Sequence, residues 1–175
     1  MAGHNKWTQI KHQKGAADKK RGLLFSKIIK AITIAAREEC NPDFNPRLRG
    51  LLEKARAAAV PNETIERALK KTVDGANLEE LTLEAYGPGG SAFLIEIITD
   101  NRNRTIQEIK HLLTEHEGKF AEQGSVRWAF DGNKPKFPQE VSTTEKEKIK
   151  KLIEILEQND DVQDIITNTL VNSES

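Results

Sequence analysis

The sequence predicts an α+β protein in two parts, a small bundle of three helices followed by an antiparallel sheet with two helices. Apolar residues recur at helical spacing up to about residue 74, and apolar residues that alternate along the chain follow from Gly75. Charge divides at the same place, because residues 1–73 carry 16 basic and 7 acidic side chains whereas residues 74–175 carry 11 and 20. The predicted domains are therefore residues 1–74 and residues 75–175.

The first domain opens with a polar stretch, here called the basic arm (residues 1–22). Residues 1–16 show no clean period and are interrupted by glycine, so they are predicted to be extended or only partly ordered. Residues 17–39 are predicted to form a helix, because four apolar side chains fall on one stripe: Leu24, Ile28, Ile32 and Ala35. Prolines 42, 46 and 61 separate this helix from two more, over about residues 46–59 and from Asn62 to the glycine at 75.

The second domain is predicted to begin with the strand "LTLEAY", the turn "GPGG" and the strand "SAFLIEII". A polar loop at residues 100–104, with Asn103 as the expected cap, leads into a helix over residues 105–117. The segment "SVRWAF" is predicted to be a strand with Val126, Trp128 and Phe130 on one face.

A proline-spaced linker then reaches a helix that ends near residue 158, with Thr144 and Glu147 fitting a capping box. The stretch "DVQDIITN" is predicted to be the closing strand. From Ala92 onward the order is strand, helix, short strand, strand, helix, strand. This order predicts a ferredoxin-like antiparallel sheet with two helices, to which "LTLEAY" adds a strand.

Several classes of function are disfavoured by what the chain contains. The single cysteine, Cys40, allows no internal disulfide, which fits a reducing cytoplasm. No secretory signal or membrane span is predicted, and an amphipathic transit peptide is a weaker alternative for the arm. The four histidines form no known metal motif, Asp160 and Asp161 are expected to serve a loop, and no nucleophile elbow occurs. We expect neither an enzyme nor a cofactor, metal or small-molecule substrate.

The basic arm and the following helix favour contact with nucleic acid. Residues 1–30 hold eight Lys and Arg side chains and one acid, and a cationic strip binds phosphates with release of counterions. A tryptophan supplies a flat face for stacking on a base. The alternative is a solvated tail whose tryptophan packs on the bundle. The candidate residues are His4, Lys6, Trp7, Lys11, His12, Lys14, Lys19, Lys20, Arg21, Lys27 and Lys30.

The loop "TDNRNRT" supplies a second candidate contact. Arg102 and Arg104 precede a predicted helix, and two guanidinium groups beside a helix N-terminus can hold a phosphate. The alternative is a capped loop with surface arginines. The turn "GPGG" lacks the Lys-Ser/Thr pair that completes a nucleotide-binding loop, so a tight turn is predicted there.

Several stretches together resemble the YebC/PmpR family, which includes the mitochondrial translational activator of cytochrome oxidase. They are "MAGHNKW", "IKHQK", "PNETIERALKK", "YGPGG", "TDNRNRT", "GSVRWAF" and "DDVQ". The family pattern has a further α+β domain after the "GSVxWxF" segment, and this chain instead passes from Phe130 through a short linker to its closing helix. Removing a domain from that loop leaves the sheet core intact, so the arm, bundle and sheet domain are expected to be retained.

The resemblance implies a DNA-binding transcriptional regulator without catalytic activity. An alternative within the family is a translation factor that binds structured RNA at the ribosome. A third possibility is a protein-interaction module in which the acidic domain binds a protein partner. The partner expected from the sequence is therefore duplex DNA or ribosomal RNA, with no membrane, and the location expected is the cytoplasm.

Overall fold

The computed structural model describes the backbone of residues 3–71 and 77–170 and the side chains of residues 15–70 and 77–170. The chain divides into two compact units, Met1–Gly75 and Ala76–Ser175, which are considered separately. The first unit contains three helices: α1 (Gly3–Glu38), α2 (Pro46–Ala57) and α3 (Asn62–Lys71).

Helix α1 is longer than the sequence predicts. The expectation of an extended arm over residues 1–16 is wrong from Gly3 onward, because α1 continues through this stretch for 36 residues in total, or roughly 54 Å. Glycine in a helix costs only about 1 kcal/mol relative to alanine, and the neighbouring alanines and lysines are good helix formers. A Cβ atom added at Gly15 or Gly22 would meet nothing within 4 Å, so neither glycine marks a tight contact.

The core of the first unit forms where α2 and α3 pack against the C-terminal half of α1. The Asn45 side chain joins two helices. Its Oδ1 atom accepts from the Leu48 amide at 2.9 Å, and its Nδ2 atom donates to the backbone carbonyls of Ala35 and Glu39, both at 2.8 Å. Leu24 was expected to point inward but is 42% exposed, because the apolar cluster begins at Phe25. The buried members of the cluster are Ile28, Ile32, Ala35, Ala36, Leu48, Ala55, Val60, Ile65 and Ala68.

The second unit is built on four antiparallel strands. Strands β1 (Glu79–Tyr86) and β2 (Ala92–Thr99) form the central hairpin, with β3 (Lys119–Ala121) beside β1 and β6 (Val162–Thr167) beside β2. Strands β4 (Phe130–Asp131) and β5 (Lys134–Pro135) form a separate small hairpin. Helix α4 (Arg102–Glu115) connects β2 to β3, and α5 (Thr143–Glu157) precedes β6.

The two faces of the sheet have different coverings. Phe93, Ile95 and Ile97 of β2 face α4 and α5 in one apolar cluster. Ala92 and Leu94 face the other way, and they pack against the buried side chains that follow β3: Val126, Ala129 and Phe130. The predicted fold class, α+β with a three-helix bundle and a ferredoxin-like sheet domain carrying two helices, is confirmed.

One strand assignment is wrong. The segment "SVRWAF" is not in the main sheet: Arg127–Ala129 forms a single 3-10 turn, and Trp128 is 63% exposed instead of facing inward with its neighbours. The reason is a buried carboxylate, since Glu84 accepts the backbone N–H groups of Gly124, Val126 and Arg127 at 2.7, 2.8 and 3.1 Å. Those donors are then unavailable to a strand neighbour. The place between β2 and β3 is filled by β1, the strand predicted as an addition.

Two helix starts also differ from prediction. Helix α4 begins three residues early because the Asn101 side chain, not Asn103, caps it by accepting from the Arg104 amide at 3.1 Å. Helix α5 has its capping box at Ser142 and Glu145, two residues before the predicted pair. Hydrogen bonds from the Ser142 backbone and hydroxyl hold the pKa of Glu145 below its usual value.

Candidate nucleic-acid interface

Three of the predicted cations of α1 lie where the helix has left the apolar core. Lys19, Lys20 and Arg21 are all exposed, and Asp18 is the one acid between residues 15 and 30. Three consecutive helical residues are about 100° apart, so these charges cover more than half of the helix circumference. They form a cationic segment, called here the α1 segment (residues 19–21), and not a closed pocket.

The packing of α1 changes abruptly along its length. Phe25, Ile28, Ile29 and Ile32 contact the bundle, whereas residues 15–22 are all exposed. A helix that is polar on every side gains nothing from core packing, so this stretch is available to solvent or to an external ligand. Lys27 and Lys30 lie on the packed half, are partly buried and have interaction partners within the protein.

Six predicted contact residues lie at helical positions whose side chains are outside the described residues. Their backbone belongs to α1, which places them on the same helix as the α1 segment. They remain predictions: His4, Lys6, Trp7, Lys11, His12 and Lys14.

Arg104, the second predicted phosphate contact, is bound to carboxylates. Its guanidinium donates to Asp100 at 2.7 Å and to Asp161 at 3.0 Å, and Glu108 lies 3.8 Å away. The hydrogen bonds to Asp161 and then Asp100 raise the pKa of Arg104. A phosphate approaching this group would meet three negative charges, so Arg104 has a structural role. Arg102, in the first turn of α4, is exposed.

Asp161 organises a buried polar cluster that the sequence did not indicate. Its carboxylate accepts from the hydroxyls of Thr99 at 3.0 Å and Thr105 at 2.5 Å as well as from Arg104, and its side chain is only 5% exposed. The cluster therefore ties the end of β2, the start of α4 and the start of β6 together. In the sequence, "TDNRNRT" lies at the end of one predicted strand and "DDVQ" at the start of another. Nothing in the sequence indicates that these two strand ends are neighbours.

The glycine turn offers no phosphate site. Pro88–Gly90 forms a tight turn, as predicted, with positive φ at Gly89 and Gly90. A Cβ atom at Gly89 would lie 2.9 Å from the carboxylate of Glu145. A negative group beside the turn opposes binding of an anion.

Among residues 3–71 and 77–170, no helix has the length and apolar character needed to cross a membrane. The described side chains also contain no group of three or more His, Cys, Asp or Glu residues placed to hold a metal ion.

Comparison with known proteins identifies both units. Residues 5–75 match the family profile "TACO1/YebC protein N-terminal domain", and residues 78–134 match "TACO1/YebC second and third domain". The conserved hypothetical protein Aq1575 from Aquifex aeolicus, a solved crystal structure, superposes with a TM-score of 0.82 at 30% identity, covering 89% of this chain and 92% of that one.

Similar curated proteins carry the name "Probable transcriptional regulatory protein". The one from Desulfosudis oleivorans is 53% identical over 135 residues, which are 75% of this chain and 55% of that protein. The one from Fervidobacterium nodosum is 53% identical over the same length, covering 54% of its sequence. This chain thus spans little more than half the length of these relatives. With both units matched and the fold shared, the chain belongs to the TACO1/YebC family.

Proposed function

We propose that this chain is a non-enzymatic regulator of gene expression that binds nucleic acid through α1. The observation that carries the proposal is the exposed α1 segment, where three cations stand on a helix with one acid nearby and no core contact. The names of the relatives, probable transcriptional regulatory proteins, support a regulatory role.

The physical basis of binding is neutralisation of phosphates. Each phosphate that a lysine or arginine contacts releases condensed counterions, and the logarithm of the affinity falls with the logarithm of salt by about 0.9 per contact on duplex DNA. A helix of 36 residues can lie along several phosphates, since its length of roughly 54 Å exceeds one turn of duplex. Contacts of this kind supply affinity and orientation without reading the base sequence.

Duplex DNA is the target that the relatives' name favours, and structured RNA is the alternative. Both present closely spaced phosphates, so the α1 segment suits either. The acidic second unit repels phosphates over most of its surface, which confines broad electrostatic contact to the first unit.

A charge-reversal experiment tests the proposal. In the full chain, Lys19, Lys20 and Arg21 are replaced by Glu, and Lys146, Lys150 and Lys151 of α5 are replaced by Glu as a control with the same change in net charge. Fluorescence anisotropy is measured with a duplex DNA and with a folded RNA hairpin between about 50 and 200 mM salt. We expect the α1 variant to bind much more weakly, with a salt slope smaller by about 3, while the control variant binds within a few-fold of the unchanged chain.

Circular dichroism must show the same helix content in all three proteins. The proposal is wrong if the α1 variant keeps its affinity or if the two variants lose affinity equally. Co-sedimentation of the same proteins with ribosomes separates the two targets. Ribosome association that depends on the α1 segment, without binding to duplex DNA, would identify structured RNA as the target.

A further inference from the structure

The second unit exposes a pair of aromatic rings on the sheet face opposite α4 and α5. Trp128 is 63% exposed and Phe137 is 52% exposed. Their ring centroids are 5.8 Å apart, with the ring planes inclined by 41°. Beneath the segment that carries Trp128 lie the buried side chains of Val126, Ala129 and Phe130, so the exposed tryptophan is not part of the core.

Hydrogen bonds hold the Trp128 ring and the backbone of Phe137. The Trp128 indole N–H donates to the Ser125 carbonyl at 2.9 Å, and the Tyr86 hydroxyl donates to the same carbonyl at 3.1 Å. The Phe137 amide donates to the Ala129 carbonyl at 3.3 Å, and the Phe137 carbonyl accepts from the Asn168 side chain, also at 3.3 Å. A surface fixed in this way loses little conformational entropy when a ligand binds.

One basic side chain lies beside the rings, and two more are exposed on the same segment. Lys136 Nζ lies 5.5 Å from the centroid of the Phe137 ring, and Arg127 and Lys134 are exposed on the same short segment. Within residues 77–170, none of these three cations forms an ion pair. Residues 125–138 carry three basic and one acidic side chain, whereas residues 74–175 as a whole carry 11 and 20. The segment that carries the aromatic pair therefore has a net positive charge of its own within an acidic unit, and Glu84 and Glu96 contact it through the Arg127 amide and the Asn133 side chain.

We propose that this surface, the Trp128–Phe137 platform, binds unpaired nucleotides of a single-stranded nucleic acid. A base has an exposed π-face only when it is unpaired, and aromatic rings with adjacent cations bind such strands by stacking and by phosphate contact. Aromatic rings and arginine are also enriched at protein interfaces, but lysine is depleted there, and two of the three cations on this segment are lysines, which favours nucleic acid. This inference rests on the proposed function for one point, that the ligand is a nucleic acid. The platform itself is independent of the α1 segment, because it lies in the other unit and uses aromatic rings.

Tryptophan fluorescence reports this surface selectively. The chain has two tryptophans, Trp7 and Trp128, so the full-length Trp7→Phe variant reports Trp128 alone. It is titrated with a short unstructured oligouridine and with an RNA duplex of the same length. We expect the single strand to quench Trp128 by stacking and the duplex to leave its emission nearly unchanged.

Substitutions in the Trp7→Phe background locate the contact. Phe137→Ala is expected to weaken oligouridine binding by about tenfold, the loss typical of one stacked base, and Lys136→Gln by a few-fold with a reduced salt dependence. Phe44→Ala is the matched control, because Phe44 is 76% exposed but belongs to the first unit; we expect it to bind like the parent.

Charge reversal of the α1 segment distinguishes the two proposals. Quenching of Trp128 by oligouridine that survives this reversal supports the platform, whatever happens to duplex binding. Loss of duplex binding in the same variant supports the proposed function, and unchanged duplex binding contradicts it without affecting the platform. The platform is wrong if oligouridine does not quench Trp128 or if Phe137→Ala and Phe44→Ala bind equally.

Discussion

The two units treat charged side chains in opposite ways. In the first unit, Lys19 to Arg21 stand on an exposed helix, and the buried polar side chains described there are neutral: Thr33 and Asn45. In the second unit, the carboxylates of Glu84 and Asp161 are buried and hold loops in place, and Arg104 is bound by one of them. The fold therefore determines what a cation can do. A cation next to a buried carboxylate supports the structure, whereas a cation without one can contact a ligand.

Removing the buried carboxylate of Asp161 should have the largest effect. Asp161→Ala removes the buried acceptor shared by the Thr99 and Thr105 hydroxyls and the main partner of Arg104, so we expect a loss of roughly 3 kcal/mol in the free energy of unfolding. Urea denaturation measures it. Asp164→Ala, an exposed aspartate on β6, is the control and should change stability by less than about 0.5 kcal/mol. Equal effects of the two substitutions would contradict the structural role assigned to the cluster.

Glu84→Gln tests the second buried carboxylate. The glutamine presents one acceptor oxygen where the glutamate presents two, and its amide group faces a backbone donor, so we expect a loss of about 2 kcal/mol. Glu122→Gln, on the exposed surface nearby, is the control. Hydrogen exchange of the Gly124, Val126 and Arg127 amides should accelerate in the Glu84 variant. Unchanged exchange there would show that the segment is held by its apolar contacts alone.

Asn45→Ala is the counterpart in the first unit. The substitution removes the cap of α2 and two hydrogen bonds to the end of α1, with an expected cost of about 1.5 kcal/mol. Thermal unfolding monitored by circular dichroism measures this loss. Asn62→Ala, at the start of α3, gives the stability change of an asparagine substitution elsewhere in the unit for comparison. A cost for Asn45→Ala above that of Asp161→Ala would reverse the comparison between the units.

Gly22→Ala should produce the smallest change, and it should stabilise the chain. Since α1 is continuous through this position and a Cβ atom would meet nothing within 4 Å, we expect a gain of about 0.5 to 1 kcal/mol and a higher helix content. Far-ultraviolet circular dichroism of the full chain measures the helix content. An arm that is extended through residue 22 would show no gain in helix content.

The sequence was most informative where periodicity is local. The three-helix bundle, the hairpin of β1 and β2, and helices α4 and α5 were all predicted from spacing, because apolar side chains recur at short range along them. Periodicity does not predict burial by itself. Leu24 lies on the same apolar stripe of α1 as Ile28, but it is exposed because no neighbouring helix extends that far. The extent of α1 was underestimated because glycine lowers helix propensity without preventing a helix.

The remaining differences come from contacts between distant segments. Glu84 binds amides some 40 positions along the chain, and this contact turns "SVRWAF" away from the sheet. Asp161 lies 57 residues from Arg104, so nothing in local spacing separated the arginine bound to carboxylates from the exposed Arg102. Arg102 and Arg104 differ by two positions in sequence, and only the fold shows that Arg104 is bound by carboxylates whereas Arg102 is exposed. The exposure of Trp128 beside Phe137 follows from the same Glu84 contact, because a residue in the sheet would not be placed there.

The small hairpin of β4 and β5 bears on how this unit tolerates changes in length. Phe130 pairs with Pro135 and Asp131 with Lys134, so the chain leaves and returns at neighbouring positions. For a segment lengthened at this turn, the loop-closure entropy grows only logarithmically, at about 0.6 kcal/mol for each doubling. The central hairpin of β1 and β2 is complete before this turn is reached, so its local contacts form without closing that loop. Strand β6 pairs with β2 across this turn, so a longer turn also lengthens the loop that this pairing closes, at the same small logarithmic cost in stability.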